Sequence, residues 1–280
     1  MPQFPIRGAL AVVTGAGSGI GAALARSLAK RGANLALADL SAEGLEATRE
    51  SLPATIEGGP RVTLHPMDVA DKAAVDALPG VVHQAHGAPA DVLVNNAGVA
   101  LGGTFVEVSE EDFDWLLAIN LHAPIRLTRA FLPVLQTRPA AHIINISSLY
   151  GIIAPAGQAA YCTSKFGLRG FSEALRHELL GSKVGLTVVH PGGVRTRIAR
   201  DARVSTARND VSEADREAEL LRIEEKLLTM PPDQAGEIIA TGLERRAKRV
   251  LVGNDAKIID LLQRLSPSGY WTVMKRFFGA

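Results

Sequence analysis

A tyrosine, a lysine and a serine carry the chemistry this sequence suggests. Tyr161 and Lys165 lie four residues apart in a stretch that reads as helix, so their side chains share one face. Ser148 lies thirteen residues before Tyr161, where the apolar run His142–Ile146 ends in Ser147-Ser148. A free phenol has a pKa of about 10 and is a poor base at neutral pH. A neighbouring ammonium favours the phenolate and lowers that value, which makes the group usable for proton transfer. A serine hydroxyl would then hold a substrate oxygen beside the phenol. A carbon that exchanges hydride with a nicotinamide needs one such proton donor or acceptor at its oxygen. A Tyr-x-x-x-Lys pair alone is an ordinary solvated helical pair; it gains meaning with the upstream serine and a cofactor turn.

That turn stands near the start of the chain. Directly after the apolar run Ala9–Val13 comes Thr14-Gly15-Ala16-Gly17-Ser18-Gly19-Ile20-Gly21. Glycines allow a tight turn and close approach of backbone to phosphate, and the unpaired N–H groups that open the next helix suit a pyrophosphate. Gly15, Gly17, Ser18, Gly19, Ile20 and Gly21 are the candidate contacts. Asp39 follows the second strand about 20 residues on, where a carboxylate can bond a ribose 2′-hydroxyl and repel a 2′-phosphate. Leu40 borders the same position, and no arginine adjoins it, so NAD is favoured with NADP still possible; Arg26 and Arg31 on the first helix complicate that preference. Asp39 also has a second reading, as a cap on the helix that starts near Ser41. Asp68 and Val69 end the third strand and suit an adenine. Asn95, Asn96, Ala97 and Gly98 end the fourth; Gly98 permits backbone approach to a cofactor, whereas Asn95 either contacts the cofactor or ties strands together.

The elements that must position these residues alternate along the chain. Short aliphatic runs at Ala9–Val13, Leu35–Ala38, Val62–His65, Val92–Val94, His142–Ile146, Leu186–Val189 and Arg249–Val252 lack strict alternation, as strands buried on both faces should. Helical patterns separate them, with Ile20, Leu24 and Leu28 as one buried stripe. The expectation is an α/β protein: a seven-stranded parallel sheet with helices on both faces, as one domain over residues 1–280. The 47% hydrophobic and 21% charged composition excludes a mainly disordered chain, and a net charge of +1 provides no overall field for nucleic acid. One cysteine, Cys162, excludes an intrachain disulfide framework and a Cys-rich zinc site, and His122, His142 and His190 show no metal-ligand spacing, so no metal is expected. Without a secretory signal or an apolar run of roughly 18 residues, the expected location is cytoplasmic. Two segments depart from the rhythm. Gly192–Pro232 carries Arg195, Arg197, Arg200, Arg203 and Arg208 and reads as a loop plus an amphipathic helix over Val211–Thr229, an expected substrate lid. The tail after Ser266 holds Tyr270, Trp271, Val273, Met274, Phe277 and Phe278.

Taken together, Thr14–Gly21, Asp39, Asp68-Val69, Asn95–Gly98, Asn120, Ser148, Tyr161, Lys165 and Pro191-Gly192 make the chain resemble the short-chain dehydrogenase/reductase family over nearly its full length. The resemblance implies a doubly wound Rossmann fold and an oxidoreductase acting on CH–OH donors. It implies Tyr161 as catalytic acid/base, Lys165 as both modulator of the phenol and partner of the nicotinamide ribose, and Ser148 as the residue that positions the substrate oxygen. Ser147 is the fallback for that last role, and the family spacing favours Ser148. Asn120 would hold a water in a proton relay connected to Lys165, and Pro191, Gly192, Val194 and Thr196 would border the nicotinamide. Leu149–Gln158 and the Gly192–Pro232 segment would border the substrate; Leu149, Tyr150, Ile152, Ile153 and Pro155 suggest a hydrophobic secondary alcohol or ketone. A homodimer or homotetramer is implied, through the helices Asp112–Leu135 and Ala159–Leu179. The apolar tail would pack on a neighbouring subunit or rest peripherally on a membrane surface. The competing reading is a catalytically inactive dinucleotide-binding regulatory or scaffold protein, for which the set of Asn120, Ser148, Tyr161 and Lys165 would be unnecessary.

Overall fold

The computed structural model describes residues 3–53, 60–204, 221 and 227–278. Its first strand, β1 (Leu10–Thr14), is buried along its whole length because it packs on both faces. Ala11 and Val13 join one apolar cluster, while Leu10 and Val12 join another on the opposite side. The same two-sided burial explains the near-continuous aliphatic character of β2 (Asn34–Asp39), β4 (Val92–Asn95), β6 (Ala141–Ile146) and β7 (Val184–Pro191). With β3 (Val62–Pro66) and β9 (Arg249–Val252) they form a seven-stranded sheet in the order β3-β2-β1-β4-β6-β7-β9. All its pairings are parallel. The order runs outward from β1 to β3 and then resumes on the other side of β1 with β4. The carboxyl ends of β1 and β4 therefore flank a switch point, the place where open parallel sheets hold ligands.

Helices cover both faces. On one side lie α1 (Gly19–Lys30), α2 (Ala42–Glu50) and α7 (Pro232–Glu244), with Leu24 and Leu28 of α1 fully buried as the stripe requires. Gly236 of α7 lets the two helices approach closely: a Cβ there would stand 2.6 Å from the backbone of Ala23. On the other side lie α3 (Lys72–His86), α5 (Ala123–Gln136) and α6 (Ala159–Glu178). Asp71 caps α3 by accepting from Ala73 N–H at 2.8 Å, and Gly87 ends it in the left-handed region.

Two expectations change. The single helix expected over Asp112–Leu135 is broken into α4 (Glu110–Leu117), a π-turn at Ala118–His122 and α5. Pro124 supplies no N–H to continue the ladder, and Ala123 N–H bonds back five residues to Ala118. The tail, expected against a neighbour or a membrane, packs its first turns against its own chain. It forms α9 (Tyr270–Phe278), and Met274, only 4% exposed, joins Leu149, Ile152, Ile153 and Ala256 of α8 (Asn254–Leu265), with Tyr270 and Trp271 against them. Tyr270 Oη accepts from Ala154 N–H at 2.9 Å. Ile152 and Ile153 leave an apolar face uncovered on the chain itself, and the tail covers it. No helix among the described residues is long and apolar enough to cross a membrane. The amphipathic helix expected over Val211–Thr229 and Arg208 lie essentially outside the described residues. A short pair, β5 (Leu101–Gly102) with β8 (Arg203–Val204), ties the start of the Gly192–Pro232 segment to the cleft rim.

Candidate active site

A continuous cleft of about 1950 Å³ runs along the carboxyl ends of the strands. Ligand pockets for small molecules commonly measure roughly 300–1,000 Å³, so this one has room for a dinucleotide and a second molecule. Its first part is the glycine turn. Gly15 and Gly19 adopt positive φ values of 62° and 53°, and a Cβ on Gly15 would stand 2.7 Å from Ala97 Cα. Helix α1 begins after Ser18 with no side-chain cap and no acidic residue in its first turn. Its N–H groups and positive end therefore face the cleft ready for an anion. Gly15, Gly17, Ser18, Gly19 and Ile20 line the cleft, whereas Gly21 packs beneath the turn, where a Cβ would strike Gly15 O.

Asp39 closes this end. Its carboxylate accepts from Gly17 N–H and Ser41 N–H, both at 2.9 Å. The helix-cap role belongs to Ser41, whose Oγ accepts from Gly44 N–H at 3.0 Å. Arg26 and Arg31 are committed elsewhere: Arg26 pairs with Asp233 at 2.6 Å, and Arg31 with Glu237 and Glu244. Leu40 stands 76% exposed on the lip beside Asp39. Asp68, Val69, Ala97 and Gly98 also line the cleft. Asn95 does not line it. That side chain is buried in the sheet and donates to Asn145 Oδ1 at 2.7 Å and Thr128 Oγ1 at 3.2 Å, tying β4 to β6 and α5. The neighbouring Asn96, whose role the sequence left unassigned, donates to Thr14 O at 3.0 Å and Gly15 O at 2.9 Å and so braces the glycine turn. These residues fit a dinucleotide: an uncapped helix start, a cradle that side chains would fill, and a carboxylate at the end of β2 beside the glycine turn.

At the other end, β6 delivers Ser147 and Ser148, and α6 delivers Tyr161 and Lys165 to the same wall. Ser147 Oγ is spent on Lys165 O at 2.9 Å. Ser148 Oγ accepts from Tyr150 N–H at 3.1 Å and lies close enough to Tyr161 to lower the phenol's pKa. Lys165 Nζ lies 5.6 Å from the centroid of the Tyr161 ring and donates to Ile146 O at 3.2 Å. Its side chain is almost fully buried, and that burial pushes the ammonium down to about 8. The expected depression of the phenol is not what the chain by itself produces. Burial pushes Tyr161 up to about 12; the Ser148 hydrogen bond pulls down, and Tyr150 and Cys162 add to the rise. Desolvation acts against the charged form of both partners and outweighs their attraction.

Asn120 sits behind this wall rather than in it. The π-turn aims its amide at Val99, with Oδ1 accepting from Val99 N–H and Nδ2 donating to Val99 O, both at 2.9 Å; Nδ2 also reaches Ser164 Oγ at 3.3 Å. Gly98 is where these groups converge, since a Cβ on it would stand 3.2 Å from Asn120 Oδ1 and 3.4 Å from Lys165 Nζ. Pro191, Gly192 and Thr196 line the cleft opposite, and the Thr196 methyl overlies Gly19, 3.1 Å from where its Cβ would be. Val194 lines it too and is anchored by a bridge to Met230. Asp255, a residue no sequence signal marked, accepts from Gly193 N–H at 2.7 Å and fixes this turn to α8. Ile152 and Ile153, expected at the substrate border, face the tail instead. Val99, Leu101, Leu149, Tyr150, Gln158 and Ile198 also line the cleft. Arg203 stacks 3.7 Å over Trp115 and pairs with Asp112 at 3.1 Å, and Arg197 pairs with Asp201 at 3.2 Å, so these two arginines serve the rim's own structure.

Comparison with known proteins agrees with this geometry. A family model described as short chain dehydrogenase matches residues 9–206. The chain is 38% identical over 265 residues to a putative oxidoreductase, SadH, of Mycobacterium tuberculosis, covering 94% of this chain and 92% of the relative. A short-chain dehydrogenase/reductase from Burkholderia phymatum, crystallised with NAD, superposes with a TM-score of 0.82 at 29% identity, covering 93% of this chain and 94% of that one. A metagenomic short-chain oxidoreductase crystallised with NADP superposes at 0.69 with 33% identity, covering 89% of this chain and 98% of that one.

Proposed function

The chain belongs to the short-chain dehydrogenase/reductase family, whose cofactor is NAD(P), and from that premise we propose that it interconverts a hydrophobic secondary alcohol and its ketone, with NAD preferred. The observation that carries the reading is the convergence of Ser148, Tyr161 and Lys165 on one wall of the cleft that begins at the glycine turn. The pyrophosphate would rest on the start of α1, the adenosine ribose on Asp39, the adenine beside Asp68 and Val69, and the nicotinamide between Gly98 and the Pro191–Thr196 stretch. Bound there, the nicotinamide supplies or takes the hydride. Ser148 holds the substrate oxygen by a hydrogen bond, and Tyr161 gives that oxygen a proton in reduction and takes it in oxidation. Lys165, buried beneath, bonds the nicotinamide ribose and keeps a cation near the phenol, while Asn120 fixes Val99 and the start of the substrate wall and reaches Ser164 on α6. Val99, Leu101, Leu149 and Ile198 favour apolar substituents on the substrate carbon.

Assembly as a homodimer or homotetramer through α4, α5 and α6 goes with this reading, and Phe166 on α6 offers an exposed aromatic for it. The test is Tyr161→Phe assayed with NAD and a panel of hydrophobic secondary alcohols, following the reduced-nicotinamide absorbance. Turnover should fall roughly hundred- to ten-thousandfold while NAD affinity stays within about twofold. Retained turnover removes Tyr161 from its role. NAD binding without turnover by the unaltered chain across the panel favours the regulatory or scaffold reading.

A further inference from the structure

We propose that His190 is a positioning residue, whose ring holds Ser148 in register for the substrate oxygen. The inference rests on the reading that Ser148 acts on that oxygen. The ladder between β6 and β7 pairs Ile146 with Val189, and its last backbone rung is Ser147 N–H to Val189 O at 2.8 Å. Beyond that rung the backbones part, because β6 turns away into the 3₁₀ turn Leu149–Gly151. The side chain of the next residue on β7 supplies the missing tie: His190 Nδ1 stands 2.9 Å from Ser148 O. A carbonyl only accepts, so Nδ1 carries the proton and the tautomer is fixed.

The same carbonyl also accepts from Gly151 N–H at 3.0 Å, and Ser148 Oγ accepts from Tyr150 N–H at 3.1 Å. The serine is thereby held at both its backbone and its side chain, with the hydroxyl proton left to point at the phenol and the substrate. The far ring nitrogen, Nε2, is buried and meets no hydrogen-bond partner among the described residues. A ring kept for packing alone would be replaced without loss by an apolar side chain, which brings no unpaired acceptor into the core. One bond, to Ser148, accounts for a histidine here. Burial, with Arg249 and Arg169 nearby, holds the ring neutral by lowering its pKa to about 4, so the donating tautomer persists through the neutral range.

Two substitutions separate this role from mere packing. His190→Asn presents an amide nitrogen near the Nδ1 position, whereas His190→Val keeps a β-branched strand residue and removes the donor. With NAD and the best alcohol of the panel, His190→Val should lower kcat roughly ten- to hundredfold, the scale at which misplaced reacting groups slow an enzyme, with NAD affinity unchanged. His190→Asn should recover kcat to within about threefold of the unaltered protein, reflecting the restored bond. An unaltered kcat in His190→Val, or equal losses in both variants, overturns the proposal. A readout independent of turnover is the Ser148 carbonyl carbon resonance, which should shift in His190→Val and return in His190→Asn. If neither variant folds, nitrogen-15 spectra of the unaltered protein decide: a neutral Nδ1–H ring at His190 upholds the tie, and an Nε2–H or charged ring refutes it. Should Tyr161→Phe retain turnover, the functional reading fails, while the carbonyl resonance still reports whether His190 holds Ser148.

Discussion

Replacing Asp39 by alanine should convert the proposed preference for NAD into one for NADP, and the structure sets the size of the change. The carboxylate ends β2 and holds Gly17 N–H and Ser41 N–H, each at 2.9 Å. Its oxygens retain lone pairs for a ribose hydroxyl, a charge-assisted bond whose loss weakens NAD by about 2 kcal/mol. For NADP the same substitution removes a like charge close to the 2′-phosphate. Two unit charges about 4 Å apart repel by about 1–4 kcal/mol between bulk water and a protein surface, so about 2 kcal/mol is a moderate figure for the relief. The substitution also releases the two amide N–H groups, which then face the position of the added phosphate as donors. Together the two effects come to about 4 kcal/mol, nearly a thousandfold in the ratio of the two affinities.

The assay is fluorescence titration of reduced NAD and reduced NADP against the unaltered protein and Asp39→Ala, with Asp39→Asn as the variant that drops the charge but keeps an acceptor oxygen. Asp39→Asn should fall between the two. Arg26 and Arg31 should not contribute, since both are paired to α7. A ratio that moves by less than about threefold would refute the placement of the ribose at Asp39 and, with it, the electrostatic argument.

Acid should weaken the fold through two fully buried neutral histidines, His142, lowered by burial to about 3, and His190, lowered to about 4. Their stabilisation is complete above the unfolded value of about 6.5 and is lost as pH falls below it, by about 2 kcal/mol per histidine at about pH 5; urea unfolding across that range should show it, with His65 and His86 adding in the same direction. A flat profile between those pH values would mean that neither ring is buried neutral. Met274→Ala should destabilise the protein by about 2–4 kcal/mol through a cavity against Ile152 and Ile153, seen as a lower unfolding midpoint. An unchanged midpoint would show that α9 does not seal that face.

Much of the sheet was legible because strands buried on both faces carry unbroken aliphatic runs, so the five inner strands lie where Val12, Leu37, Leu93, Ile144 and Val188 placed them, with the less buried β3 and β9 at the two edges. The glycine turn, Asp39 and the Tyr161–Lys165 spacing were legible because local geometry suffices to read them. Features set by tertiary context were not. The π-turn at Asn120 lies among ordinary helix formers, and its cause is Pro124 together with the bonds Asn120 makes to Val99. Ile152 and Ile153 are apolar whether they face substrate or the tail, so composition could not choose between the two. The β5–β8 pair is two residues long and carries no periodicity. Asp255 and His190 act across the sheet edge on Gly193 and Ser148, at sequence separations of 62 and 42, and nothing local announces such bonds.

The phenol shows why spacing alone misjudged the electrostatics. Four residues of helix bring Lys165 to Tyr161, and an ammonium does favour a phenolate, but the fold that brings them together also buries Lys165 and half-buries Tyr161. Desolvation then raises Tyr161 to about 12 and lowers Lys165 to about 8, opposite to what an ion pair between them would require. The chain by itself thus keeps the phenol protonated at neutral pH, which under the proposed reading suffices for protonating a ketone oxygen without prior ionisation. Oxidising an alcohol asks the same phenol to accept a proton, and for that its value must come down by charge or hydrogen bonds beyond those the chain provides. The Ser148 hydroxyl already acts in that direction, and the bond from His190 to its carbonyl ties that residue to β7.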